Sequence, residues 1–234
     1  MASSPNGEDK NGENLLSFET WRRKVAWVTG LGLSEDEERR RSEVILLQNA
    51  QKDWDTCEKR KRELWHNSPA VVFMVQQMRL INCNVTLDHF VCHPCEKKSS
   101  GGFSPEYGIL LCQDGFFNKK HMEDTMVHEL VHMYDHAKFN VDWNNLRHQA
   151  CSEIRAANLS GDCSFRRNFT RGWFKITAQH KECVRMRAVS SVAMNPKCPN
   201  QEAAEQAVNE VWDSCIKDTR PFDEVSHMVV DLVL

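Results

Sequence analysis

The chain lacks the long apolar run that a bilayer span requires. Its longest such stretch, Val225 to Leu234, is short and interrupted by His227 and Asp231. It also lacks a strong charge of either sign. A net charge of −3 over 234 residues argues against a general polyanion-binding role, and no nucleic acid is expected as a partner. The first twenty residues hold no apolar core of the kind a secretory signal needs. They carry Glu8, Asp9, Glu13 and Glu19, which sits badly with an ordinary mitochondrial presequence, a segment poor in acids. With 41% hydrophobic residues, what is left is a chain able to fill a real core as one generous domain or two small ones.

Cysteine, by contrast, is abundant. The ten are Cys57, Cys83, Cys92, Cys95, Cys112, Cys151, Cys163, Cys183, Cys198 and Cys215. Either several bind metal or the protein folds where disulfides persist. Cys92-x-x-Cys95 could be half of a four-cysteine zinc site with Cys83 and Cys112, a redox motif, or a source of structural disulfides. No second pair follows at matched spacing, and cysteines continue through the C-terminal half, so disulfides are the favoured reading. Cys183, Cys198 and Cys215 are placed to staple the last two helices together.

Met1 to Asn14 is rich in Ser, Gly, Asn and acids and reads as disordered. Leu15 to Leu33 reads as a short amphipathic helix ending at Gly30-Leu31-Gly32. Its Arg22-Arg23-Lys24 is better taken as a solvated face than as a membrane contact. Ser34 with Glu37 three residues on is a capping box opening an exposed helix to about Trp65. Ser68-Pro69 opens the next, Ala70 to Leu80. Short strands follow around Val85 to Cys92 and at Tyr107 to Cys112. The open edge of the latter could pair with an extended peptide, unless the strand is buried. Helices are then predicted over 118–140, 146–159, 174–194 and 201–217.

The helix over 118–140 carries the chemistry. No Pro or Gly interrupts it, Asn118 can cap it, and Met122, Met126, Leu130 and Tyr134 recur along one side. His128-Glu129-Leu130-Val131-His132 puts two imidazoles one turn apart on one face, where both reach a single divalent metal. Glu129 stands beside that metal, where a carboxylate can take a proton from water. These are the mechanics of a zinc metalloprotease. The fold class expected is α+β: a mainly helical zincin-like domain with a small sheet beside the metal helix. Residues 1–34 would be a disordered or weakly structured segment, and 35–234 the metalloprotease domain with a cysteine-stapled helical C-terminal part.

Catalytic zinc usually has three protein ligands and an open fourth position. Glu153, on the following helix, is the preferred third ligand to Zn²⁺ beside His128 and His132, since antiparallel packing would bring its carboxylate to the metal. Asp135 is the runner-up. It lies seven residues from His128, about 10 Å along a rigid helix, which suits it better to support than to ligation.

His128 to His136, Val141-Asp142-Trp143 and Ala150 to Cys163 together resemble the mitochondrial inner-membrane metalloprotease family that processes and helps assemble ATP synthase. Gly101-Gly102-Phe103 and Leu111-Cys112-Gln113 fit it too, and the resemblance runs from about Leu46 to Phe222. Animal members are also described as Ku-binding proteins. The resemblance implies a peripheral protease on the intermembrane-space side of the inner membrane, trapped there oxidatively and carrying disulfides. It implies a polypeptide substrate, an ATP synthase membrane-sector subunit in fungi, and a chaperone role that does not need the catalytic glutamate. It places the metal on His128 and His132, catalysis on Glu129, and the third ligand on Glu153. The other readings are an assembly chaperone whose metal site is dispensable and a nuclear DNA-repair adaptor. The interleaved charges and ten cysteines disfavour the latter.

Overall fold

The structure, a computed structural model, describes residues 10–96, 99–163 and 176–223. Seven α-helices and one three-stranded sheet lie in these stretches, the mainly helical α+β arrangement expected. The chain forms two compact units, Met1–Lys52 and Asp53–Leu234.

The first unit holds α1 (Lys10–Thr29) and the start of α2 (Glu35–Asn67). The helix α1 begins inside the stretch expected to be disordered; residues 1–9 lie outside the described residues. Gly30 and Gly32, at φ of 80° and 75°, make the turn that a side chain would strain. Arg41 then reaches back to the last carbonyls of α1, donating to Trp27 O at 2.5 Å and Val28 O at 2.9 Å. Ser34 and Glu37 form the expected capping box, with Ser34 N donating to Glu37 Oε2 at 2.9 Å.

In the second unit, α3 (Pro69–Leu80), α4 (Lys119–Phe139), α5 (Leu146–Leu159), α6 (Ile176–Ala193) and α7 (Gln201–Cys215) surround the sheet and the site. Side-chain caps set the starts of four of them. Ser68 caps α3 ahead of Pro69, and Asn118, Asn145 and Asn200 cap α4, α5 and α7, each accepting from a backbone N–H of the first turn. Asn140 ends α4 in the left-handed region.

The sheet runs in the order β1-β3-β2, where β1 is Phe90–His93, β2 Gly101–Ser104 and β3 Gly108–Cys112. β1 pairs parallel with β3, Phe90 opposite Ile109, and β2 pairs antiparallel, Gly101 opposite Leu111. The expectation that the strand ending at Cys112 offers its edge to a peptide is therefore overturned. β3 is the central strand, and an open edge belongs to β2.

Two hydrophobic cores lie in this unit. The first packs Val71, Met74 and Met78 of α3 and Phe90, Ile109 and Leu111 of the sheet against Met122, Met126, Leu130 and Tyr134 of α4. The second packs Ala150, Ile154 and Ala157 of α5 against Val184, Ala188 and Val192 of α6 and Ala204 and Val208 of α7. Small residues on α5 allow close helix approach.

Four disulfides form: Cys57–Cys92, Cys95–Cys112, Cys151–Cys215 and Cys163–Cys183. The two cysteines of Cys92-x-x-Cys95 go to separate partners, so the motif is neither a zinc site nor a redox pair. Cys183 and Cys215 do not join α6 to α7, as expected, but tie each helix back to α5 or the turn after it. Cys83 and Cys198 are free thiols.

Candidate active site

The helix α4 buries one side in the first core and turns His128, Glu129 and His132 toward α5. The helix α5 answers with Glu153, itself buried, beside the Ala150, Ile154 and Ala157 face that α5 gives to the second core. The site thus sits on the seam between the two cores. His128 Nε2 is 3.6 Å from Glu153 Oε2, and His132 Nε2 is 3.7 Å from Glu153 Oε1. Among the described residues these three are the one group of His, Cys, Asp and Glu close enough to share a metal, with ligand atoms within 4.8 Å of one another. Ligands at ordinary zinc bond lengths in tetrahedral array stand about 3.3 Å apart, so the two His–Glu153 separations need only a few tenths of an ångström, while the widest pair, at up to 4.8 Å, needs the side chains to close in further.

Each imidazole is held from behind, as metal-ligating histidines usually are. His132 Nδ1 is 2.8 Å from Ser152 Oγ. His128 Nδ1 lies 3.4 Å from Asp162 Oδ2, without hydrogen-bond alignment, so that contact is chiefly electrostatic. Ser191 of α6 donates to Glu153. Arg187, also on α6, donates to Asp162 at 2.8 Å. Sequence reasoning missed Ser152, Asp162, Ser191 and Arg187 as parts of the site. Ser152 was legible in principle, being next to Glu153, but the others arrive from the turn after α5 and from α6.

Asp135 goes elsewhere. Its carboxylate accepts from Arg155 Nε at 3.1 Å on both oxygens. Arg155 is 2% exposed and also bonds the carbonyls of Asp218 and Arg220 at 2.9 and 2.6 Å. Asp135 thus anchors the segment after α7 to α4 and α5, two turns along α4 from His128.

The electrostatics of the site call for a cation. Burial lifts Glu129 to about 7, with Glu153 and Asp162 adding to the rise and His128 and Arg187 opposing it. Burial alone would lower His128, yet the Asp162 and Glu153 carboxylates raise it above its ordinary value. Burial pushes Glu153 up, but the two imidazoles and Ser191 bring it well below the usual carboxylate range. Three carboxylates around two imidazoles in a buried place need positive charge, and a divalent ion supplies it without a proton.

The site opens into a cleft of ≈ 620 Å³ walled by Ser99 to Phe103 on one side, α4 below, and Ser190, Ser191 and Met194 on the other. The strand β2 lies close over α4. A Cβ on Gly101 would meet Leu110 O at 2.7 Å and Thr125 Cγ2 at 2.9 Å, so only glycine permits the approach. Phe103 and Trp143 pack edge to face at 5.9 Å, and Trp143 meets His132 at 5.7 Å, giving the cleft an aromatic end.

The peptidase M76 family matches residues 55–223. The chain is similar to the mitochondrial inner membrane protease ATP23 of Kluyveromyces lactis, 45% identical over 229 residues that cover 92% of each chain. The protein of that name from Aspergillus fumigatus is 43% identical over 95% of this chain and 96% of its own, and that from Candida glabrata 44% identical over 89% and 97%. No solved structure matches.

Proposed function

This chain belongs to the peptidase M76 family, and from that premise we propose that it is a zinc-dependent endopeptidase of the mitochondrial intermembrane space, held peripherally at the inner membrane. The observation that carries the reading is the convergence of His128, His132 and Glu153, with Glu129 alongside, in a cleft bordered by an open strand edge. His128, His132 and Glu153 would hold the ion. Zinc bound there lowers the pKa of a water toward neutrality and polarises the scissile carbonyl.

The chain's own residues do the rest. Glu129, with its proton affinity raised by burial, accepts the proton of the attacking water and returns it to the leaving amine. Ser152 keeps His132 oriented by a hydrogen bond, and the Asp162 charge stands behind His128. The edge of β2 pairs with the backbone of an extended polypeptide, which fixes the scissile bond without reading side chains. The substrate class is therefore polypeptide, and by family likeness an ATP synthase membrane-sector subunit. Four disulfides support an oxidising compartment. The relatives' names point to the inner membrane, and no helix among the described residues is long and apolar enough to cross it.

The test is hydrolysis of an unfolded polypeptide by zinc-loaded protein and by its Glu129→Gln variant. Loss of general-base catalysis should lower kcat by about a hundredfold or more with zinc content unchanged. Equal rates would remove Glu129 from the mechanism. The strand edge also suits a second reading, an assembly chaperone that holds polypeptide without cutting it. That reading gains if Glu129→Gln restores ATP synthase assembly in depleted cells as fully as the parent chain.

A further inference from the structure

We propose that Arg187 binds the backbone of the polypeptide in the cleft, donating to a peptide carbonyl beside the scissile bond, and that Asp162 holds it in place. This rests on reading the cleft as the peptidase site. Arg187 comes from α6, opposite β2 across the opening, and lines the cleft with His128, Glu129 and Glu153. It is the one Lys or Arg that does so among the described residues.

A comparison within the molecule shows what is unusual about it. Arg155 is a structural arginine: 2% exposed, with its guanidinium shared among Asp135, Asp218 and two backbone carbonyls. The Arg187 side chain is 45% exposed. Among the described residues it spends one donor, on Asp162 Oδ2 at 2.8 Å. A guanidinium has five N–H groups in a rigid fork, so anchoring one edge leaves the others pre-organised toward the cleft. Asp162 is itself 4% exposed and stands 3.4 Å from His128 Nδ1. One carboxylate therefore anchors the arginine by a hydrogen bond and faces a metal-ligating imidazole across 3.4 Å, which keeps the arginine close to the metal position.

A backbone carbonyl is the partner the setting favours. An extended chain laid along β2 turns alternate carbonyls away from the sheet, toward the α6 side of the cleft. Every polypeptide brings that acceptor whatever its sequence. The cleft's carboxylates Glu129, Glu153 and Asp162 would repel an acidic side chain.

The experiment uses the full chain carrying Glu129→Gln, so that peptide binds without being cut. The probe is a fluorescent unfolded peptide with an amidated C-terminus, which removes a free carboxylate as the partner. Affinity is read by anisotropy, zinc per chain by mass spectrometry, and folding by thermal unfolding. Arg187→Met should weaken peptide binding by roughly ten- to a hundredfold, the worth of a charge-assisted hydrogen bond. Zinc content and unfolding temperature should stay as in the parent. Arg187→Lys, which keeps the charge but not the fork, should fall between. In the Glu129 background, Arg187→Met should raise KM more than it lowers kcat.

Unchanged affinity in both variants would overturn the proposal. So would an affinity loss that follows zinc loss and is restored by added zinc, since Arg187 would then act only as a prop for Asp162. If Arg187→Met does not fold, unchanged affinity in Arg187→Lys is enough to reject it. Peptide binding that depends on Arg187, together with no hydrolysis by the zinc-loaded chain that keeps Glu129, would sink the peptidase reading and leave this contact standing. Hydrolysis with no such dependence does the reverse.

Discussion

The two cores on either side of the active site are built differently. The first fills its space with large side chains: Met74, Met78, Phe90, Leu111, Met122 and Met126 are all essentially buried. The second is mostly Ala and Val, with Ile154 its largest buried member. It has less apolar area per residue to remove from water, and hydrophobic stabilisation scales with that area. Each side carries two cystines: Cys57–Cys92 and Cys95–Cys112 on the first, Cys151–Cys215 closing 64 residues and Cys163–Cys183 closing 20 on the second. The first side has large side chains packed around its cross-links, whereas the second has little packing besides them. The histidines belong to the packed side, and Glu153, Asp162, Arg187 and Ser191 belong to the side that leans more on its cross-links. Reduction should therefore loosen the second half of the site before the first.

The largest effect expected is from opening the long cystine loop. Cys151→Ala with Cys215→Ala should cost about 4 kcal/mol on the loop-closure account. Hydrogen exchange should quicken in α6 and α7 well before α3 and α4. Exchange rising evenly over both cores would erase the distinction drawn here. Next in size, Met122→Ala in the packed core should cost about 3 kcal/mol, within the usual range for a buried methionine. Here exchange should rise in α3, α4 and the sheet, and reducing agent should add the same further loss as in the parent.

The smallest effect concerns pH. Burial pushes the Asp218 carboxyl up, but bonds from Arg220 and the charge of Arg155 outweigh it, so it sits below its ordinary value of 3.8. A depressed acid contributes stability above its unfolded pKa and loses it as pH falls through the folded one. The urea midpoint of the parent should thus drop more steeply below pH 3.8 than that of Asp218→Asn. Parallel acid limbs would show that the Arg155 anchor does not depend on this charge.

Much of the packed side was legible in the sequence. The four-residue recurrence from Met122 to Tyr134 and the cap at Asn118 define α4, and the helical pitch aligns His128 with His132. The rise per residue argued against Asp135 as a ligand, and the structure gives it to Arg155. Glu153 was reachable because α5 has to return antiparallel. The cross-linked side was far less readable. Cystine pairing is decided by which helices meet, not by spacing, so the expected staple between the last two helices is replaced by bonds from Cys183 to Cys163 and from Cys215 to Cys151, with Cys198 free. Asp162 and Arg187 come together across the Cys163–Cys183 bond, and no local pattern marks either. β2 escaped because four residues beginning Gly101-Gly102 carry too little β signal to stand apart from a loop.

The most direct test is zinc per chain in protein purified without reductant. One equivalent should be present in the parent and in Glu129→Gln, and should be lost from His132→Ala and from Glu153→Ala while the fold survives. A folded parent that retains no zinc, or a Glu153→Ala variant that keeps its full equivalent, would contradict the site on the seam.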